Sequence, residues 1–129
     1  MCLTAYAENY NLWVGGIQVT SENASNITGG TTVTAKYDAT NNTLTLNNYA
    51  YSGVGYKNGN NEYNGIYSEN ALTINAVGSN SITVEVDDSN SHNIYGIYVS
   101  GNLIIDGSGS LDVIGGADSA NNISSAHGI

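Results

Sequence analysis

Residues 62–84 read EYNGIYSENALTINAVGSNSITV, and residues 93–116 read NIYGIYVSGNLIIDGSGSLDVIGG, which repeats the same pattern. The motif Gly-Ile-Tyr begins at Gly65 and again at Gly96, 31 residues later, and Gly128 opens a third, incomplete copy after 32 more. A fixed period of this length indicates a repeat architecture.

Apolar and polar side chains alternate inside each copy, with Gly, Asn, Asp and Ser between the runs. This is the periodicity of short strands separated by tight turns. The residues predicted to face a common core are Ile66, Leu72, Ile74, Ile82 and Val84 in the first copy, and Ile97, Leu103, Ile105, Leu111 and Val113 in the second. Three strands per copy at a constant period predict an all-β fold, a right-handed parallel β-helix (β-solenoid) whose strands stack on their counterparts.

The segment before the repeats has a different pattern and predicts an N-terminal hairpin cap over residues 8–42. One hairpin is expected to turn at Gly15-Gly16 and a second over residues 38–42. The strand at residues 43–46 matches the one at Leu72, 28 positions after Leu44, and is predicted to open the coils, which occupy residues 43–129. A cap has to cover the open end of the core, and Trp13 is a candidate lid. An ordinary core position and an exposed sugar platform are equally open for Trp13.

The charge of the chain excludes several partners. The 129 residues include two Lys, no Arg and 11 acidic residues, for a net charge of -9. Such a surface repels nucleic acid and anionic membranes, so neither is an expected partner. Residues 1–7 end in the small-x-small pattern Ala5-Tyr6-Ala7 and are predicted to be a signal-peptide remnant or a disordered tail. The expected location is therefore secreted or cell-surface, and the single Cys2 predicts no disulfide within the fold.

The chain is not expected to be an enzyme. Lyase chemistry on β-helices needs an Arg or Lys base, and neither Lys36 nor Lys57 falls on a predicted coil strand. Glycoside hydrolysis needs two carboxyl groups at the bond, whereas the positions matched to Asp106 and Asp112 in the first copy, Asn75 and Thr83, are not acidic. The two histidines, His92 and His127, are predicted to lie isolated in loops.

Acidic residues recur where successive copies end. Asp87 and Asp88 close one copy, and Asp118 closes the next. Stacked turns would bring these carboxylates together, and calcium prefers such oxygen ligands. Calcium is therefore a possible cofactor at Asp87, Asp88 and Asp118, and a solvated acidic corner is the alternative.

Tyrosine is the other abundant feature, with ten residues and no Phe. Tyr67 and Tyr98 occupy equivalent positions and are predicted to form an outward ladder, with Tyr63 and Tyr95 near it. Aromatic rings stack on sugars, so these four tyrosines and Trp13 are the candidate ligand-binding residues. A tyrosine ladder also stabilises stacked strands without any ligand.

Residues 10–23, YNLWVGGIQVTSEN, and residues 37–49, YDATNNTLTLNNY, together with the repeated GIY and LTI units, resemble a known group. These are the secreted β-helix repeat proteins of anaerobic gut Gram-positive bacteria, described as carbohydrate-binding-domain or adhesin-like surface proteins. The resemblance covers most of residues 8–129. It implies export, a right-handed parallel β-helix and binding of plant-type polysaccharide, in some members with calcium.

The sequence thus predicts a secreted, non-enzymatic, adhesin-like binding module whose favoured partner is a polysaccharide or a cell-surface glycan. A purely structural or self-assembling β-solenoid is the alternative, and a remnant of a polysaccharide lyase or hydrolase is a second one. Self-association through the C-terminal coil is also expected, because Gly128 and Ile129 begin a further copy and no capping segment follows them.

Overall fold

The computed structural model describes residues 7–86, 92–117 and 123–127, and within them the regular structure is entirely β. No described segment is a helix long and apolar enough to cross a membrane. The strands of the described residues are β1 (Asn9–Val14), β2 (Ile17–Thr20), β3 (Ala35–Asp38), β4 (Thr43–Asn47), β5 (Ala50–Gly53), β6 (Tyr56–Asn58), β7 (Glu62–Ser68), β8 (Leu72–Val77), β9 (Ser79–Glu85), β10 (His92–Val99), β11 (Leu103–Asp106), β12 (Ser110–Ala117) and β13 (Ile123–His127).

The strands form three sheets, and each sheet takes one strand from each of the two full copies of the repeat. Sheet A has the order β13-β10-β7-β1-β2, with β6 also paired to β7. Sheet B has the order β11-β8-β4-β3, and sheet C the order β12-β9-β5. The pairs between copies are parallel, whereas β1, β2, β3 and β6 join antiparallel.

The predicted equivalence of the two full copies is confirmed strand by strand. Tyr98 pairs with Tyr67 in sheet A, Leu103 with Leu72 in sheet B, and Val113 with Ile82 in sheet C, all at the 31-residue spacing seen in the sequence. Parallel pairing in this register places like side chains beside one another on both faces of each sheet.

Two predicted matches are wrong by two residues. Leu44 on β4 pairs with Ile74 on β8, an offset of 30 residues instead of the predicted 28. Asp112 pairs with Ser81, and not with Thr83. A shift of two residues keeps every side chain on the same face of the sheet, so the predicted inward set survives both corrections.

Both predicted N-terminal hairpins are present. Val14 pairs with Ile17 across Gly15 and Gly16, whose φ values of 57° and 81° are those of a two-residue turn that L side chains rarely adopt. Strands β3 and β4 close where Asp38 pairs with Thr43. The Asp38 carboxylate accepts hydrogen bonds from the amides of the turn, as Asp does in such loops.

The core consists of aliphatic rows that run across the strands. Leu44 and Ile74 are adjacent and both fully buried, and the row Val14, Ile66 and Ile97 is at most 1% exposed. The next member of the first row, Ile105, is 45% exposed, because β11 has no second partner strand in the described part of the chain.

The buried side-chain amide of Asn80 forms hydrogen bonds with backbone groups near the ends of three strands. Asn80, 1% exposed, accepts a hydrogen bond from the Tyr49 amide at 2.8 Å and donates to the carbonyls of Val77 and Ser110 at 3.1 and 3.0 Å. Tyr49 precedes the copy that contains Asn80, Val77 belongs to that copy, and Ser110 belongs to the next one. The side chain therefore satisfies backbone groups that the turns leave open, as a buried polar group must.

The first prediction compares two matched positions, Ile74 and Ile105. Ile74→Ala leaves a cavity and should lower the free energy of unfolding by about 3 kcal/mol. Ile105→Ala, in the same row but half exposed, should lower it by about 1 kcal/mol. Urea denaturation followed by circular dichroism measures both, and equal losses would contradict the observed burial.

Candidate functional site

Five aromatic side chains gather on the outer side of sheet A, and we call this cluster the aromatic face: Trp13, Tyr56, Tyr67, Tyr95 and Tyr98. Leu12 and Val14 are each 1% exposed and face the core, so Trp13 between them projects outward. Trp13 pairs with Tyr67, which pairs with Tyr98, and these residues form one row across β1, β7 and β10.

A second row runs parallel to the first. Tyr56 on β6 pairs with Asn64 on β7, and Asn64 pairs with Tyr95 on β10. The two rows lie close enough for their rings to touch, since Tyr56 contacts Trp13 and Tyr95 contacts Tyr98. Four strands, β1, β6, β7 and β10, thus build one continuous aromatic surface.

The rings pack against each other in defined orientations. Trp13 and Tyr56 are stacked, with centroids 4.2 Å apart and planes 19° apart. Tyr67 and Tyr98 are also stacked, at 5.4 Å and 11°, and Tyr95 meets Tyr98 edge-on at 5.2 Å. Tyr67 contacts Trp13 at 5.6 Å and Tyr56 at 5.1 Å. Such offset and edge contacts each contribute about 1 kcal/mol beyond buried area.

Tyr67 lies at the centre of the cluster and is only 8% exposed. The other four rings are partly exposed and surround it. A ligand on this surface would touch Trp13, Tyr56, Tyr95 and Tyr98, whereas Tyr67 would support them from below. The predicted ladder residue Tyr67 is therefore chiefly a packing residue.

Polar side chains are held beside the rings. Asn58 donates to the Tyr67 hydroxyl at 3.3 Å and to the Glu62 carboxylate at 3.4 Å. Asn64, which is fully buried, donates to the same carboxylate at 3.2 Å. These two amides fix Glu62 at the edge of the aromatic face.

Burial raises the pKa of the Tyr67 hydroxyl above its usual value, and the nearby Glu69 and Glu62 carboxylates raise it further. The two acids lie beyond opposite ends of the Asn64–Tyr67 stretch of the chain. Their joint effect on one hydroxyl indicates a negative potential at the aromatic face.

The structure brings four of the five predicted ligand-binding residues together: Trp13, Tyr67, Tyr95 and Tyr98. Tyr63 is not among them, because it is 8% exposed within the core cluster and its ring meets His92 at 4.9 Å. Tyr56 joins through the β6–β7 hairpin, which the repeat spacing does not predict. The lid prediction for Trp13 is wrong, since Leu12 and Val14 face the core instead.

The candidate catalytic groups are dispersed. Asp106 and Asp112 are exposed on different sheets, and among the described residues no three His, Cys, Asp or Glu side chains are grouped to hold a metal. His92 opens β10 and is buried, and His127 belongs to β13, so the prediction that both lie in loops is wrong. The calcium residues Asp87, Asp88 and Asp118 lie outside the described residues, and the calcium site stays a prediction from the sequence.

A separate groove, with a volume of about 930 Å³, lies on the β3–β4 side of the molecule. Short polar side chains such as Thr43 and Thr45 line it together with Lys36 and Asp38, and the Tyr37 hydroxyl in it donates to Asn42 at 2.5 Å. It presents one aromatic ring where the aromatic face presents five. The groove is therefore the weaker candidate for a sugar-binding surface.

Comparison of the chain with protein-family models, curated proteins and solved structures finds no match.

The second prediction concerns alkaline pH. Burial raises the pKa of Tyr49, with a further contribution from Tyr51, and Tyr67 is raised as described above. In the unfolded chain tyrosine ionises near pH 10, whereas the fold disfavours the charged form. The stability that these neutral hydroxyls contribute is therefore complete below about pH 10 and is lost as the pH rises through their folded pKa values.

Urea denaturation at about pH 9 and about pH 11 should show this loss, and the Tyr49→Phe, Tyr67→Phe double variant should lose less than the parent. Phenylalanine keeps the ring packing but has no proton to lose. An equal alkaline loss in parent and double variant would assign the effect to other groups.

Proposed function

We propose that the three sheets are the faces of a right-handed parallel β-helix. Support comes from the parallel pairs β7–β10, β8–β11 and β9–β12, which share one 31-residue offset. In both copies the three successive strands lie in sheets A, B and C in that order. Connections between parallel strands of one sheet are right-handed in nearly all proteins, which favours this hand.

On this scaffold we propose a non-enzymatic binding module of the adhesin type, secreted or at the cell surface, whose partner is a polysaccharide. The observation that carries the proposal is the aromatic face, with four partly exposed rings packed on a rigid sheet. The dispersed carboxylates Asp106 and Asp112 support a binding role over catalysis. The small-x-small pattern that ends at Ala7 supports export.

The arrangement suits sugar rings in two ways. The apolar C–H groups of a sugar pack on aromatic surfaces, while tyrosine hydroxyls and Asn58 are placed to hydrogen-bond its hydroxyls. A cavity of about 270 Å³, lined by Tyr95, Tyr98 and Leu103 among others, adjoins one end of the aromatic face. A chain of sugars running across the strands would follow one row of rings, and one running along the strands would cross both rows.

The third prediction tests this surface. The Tyr56→Ala, Tyr98→Ala double variant removes two partly exposed rings. It should weaken retention on insoluble plant polysaccharide at least tenfold, because the stacking of a sugar on one ring contributes on the order of 1 kcal/mol or more. Tyr10→Ala is the matched control, because Tyr10 is partly buried elsewhere and packs on Tyr37 at 5.4 Å. Pull-down assays measure retention, and circular dichroism checks that each variant keeps its strands. Full retention by the folded double variant would refute the aromatic face as the binding surface.

Self-association is a second candidate function, and exposed aliphatic residues favour it. Ile104, Ile105 and Ile114 are 58%, 45% and 52% exposed on β11 and β12, which are edge strands within the described part of the chain. Unpaired edges with exposed apolar side chains pair with other strands. We propose a second copy of this chain as the partner at this edge.

The fourth prediction follows from these edges. Light scattering over a concentration series should show a mass that grows with concentration, and Ile105→Lys should return the protein to a monomer because a charge on an edge strand opposes pairing. Ile17→Lys, at an exposed position on the distant β2, is the control. A constant monomer mass in the parent protein at high concentration would exclude this association.

A further inference from the structure

Two carboxylates flank the aromatic face, and their position bears on the ligand. Glu62 begins β7 and Glu69 follows its last residue, so the two acids lie at opposite ends of the strand that carries Tyr67. Glu69 is exposed, and Glu62 is partly buried. Asn58 donates hydrogen bonds to both the Glu62 carboxylate and the Tyr67 hydroxyl, which places this charge next to the centre of the cluster. Both carboxylates act in the direction that raises the pKa of Tyr67.

Glu62 is held in place and is not a freely moving surface acid. Its Oε1 accepts hydrogen bonds from Asn58 and Asn64, and the second of these amides is buried. A carboxylate fixed beside aromatic rings, and partly shielded from water, interacts more strongly with a ligand charge than an exposed carboxylate does.

The described residues place no cation on the aromatic face to offset these charges. Lys57 alternates with Tyr56 and Asn58 along β6 and pairs with Tyr63, so it points away, with its ammonium group 5.7 Å from the Tyr63 ring. Lys36 lies on β3 in sheet B. The surface therefore combines several electron-rich rings with uncompensated negative charge.

Rings and carboxylates in this combination favour one ligand charge over the others. A protonated amine is attracted both by aromatic ring faces and by carboxylates. A uronic acid is repelled by the same carboxylates, and a neutral sugar gains only the stacking and hydrogen bonds. All three sugars present pyranose rings of similar size to the aromatic side chains, and the sign of their charge is the property that Glu62 and Glu69 distinguish.

We propose that the aromatic face selects glycans with protonated amines, as in polymers of glucosamine, over their neutral and uronic-acid counterparts. This inference rests on the proposed function, since it requires that the aromatic face binds polysaccharide. Glu62 and Glu69 are the residues that determine the charge preference, and the rings provide the contact area.

The test compares glucosamine oligomers, their fully N-acetylated counterparts and oligogalacturonate by calorimetry at about pH 5.5, where glutamates are ionised and the amines protonated. Glucosamine oligomers should bind about tenfold more tightly than the N-acetylated ones, and oligogalacturonate should bind least. Raising the salt from about 0.05 M to about 0.5 M should remove most of this preference.

Matched variants locate the effect. Glu62→Gln with Glu69→Gln should abolish the preference for glucosamine, measured within the variant as the ratio of its affinities for the glucosamine and N-acetylated oligomers. Glu22→Gln with Glu85→Gln removes the same charge from exposed positions off the aromatic face and should keep the preference.

Three results would overturn the inference. Equal binding of amine and N-acetyl oligomers would exclude charge selection while leaving polysaccharide binding intact. Equal loss of preference in both pairs of variants would assign it to the net charge of the protein. The absence of binding by all three glycans, and of retention on polysaccharide, would remove the proposed function together with the inference.

Discussion

Parallel pairing between residues 31 positions apart is the constraint on which the rest of the structure depends. Each inner strand must satisfy its backbone donors and acceptors on both sides, and it does so against the same stretch of sequence in the neighbouring copy. The register that places Ile97 beside Ile66 in the core also places Tyr98 beside Tyr67 outside. Core and aromatic face are therefore two results of one alignment, and a mutation that shifts one shifts the other.

Stacked rings give the aromatic face both its rigidity and its limits. Tyr67 holds its neighbours in fixed orientations, so little rotamer freedom remains to be lost when a ligand binds. The same packing hides most of Tyr67 itself and leaves the partly exposed Trp13, Tyr56, Tyr95 and Tyr98 to make contact. In the proposed binding role, packing falls to Tyr67 and ligand contact to the partly exposed rings, a division that the sequence alone shows only as an excess of tyrosine.

What the sequence predicted well was whatever depends on period and alternation. The 31-residue repeat, the three strands per copy, the inward aliphatic set and both N-terminal hairpins all followed from spacing and turn residues. Tyr63 was misplaced because β7 does not alternate strictly: Tyr63 and Ile66 are both buried although three positions separate them. Gly65, between them, lies in the strand and faces the core, where a Cβ would come within 2.6 Å of the Gly96 carbonyl oxygen. Trp13 and Tyr56 reach the cluster through antiparallel pairs, which no repeat period encodes.

The pairing of β1 with β7 has a consequence for the order of folding. The hairpin β1–β2 is local and can form as soon as its residues leave the ribosome, but Trp13 finds its partner Tyr67 only after four further strands have been made. Long-range closures of this kind are slow, because the intervening chain must be ordered first. The N-terminal hairpin therefore waits for the first copy of the repeat and then locks onto it. We expect the fluorescence of Trp13, the single tryptophan, to change at that late step, when the indole stacks on Tyr56. A change in Trp13 fluorescence that preceded strand formation by stopped-flow circular dichroism would reverse this order.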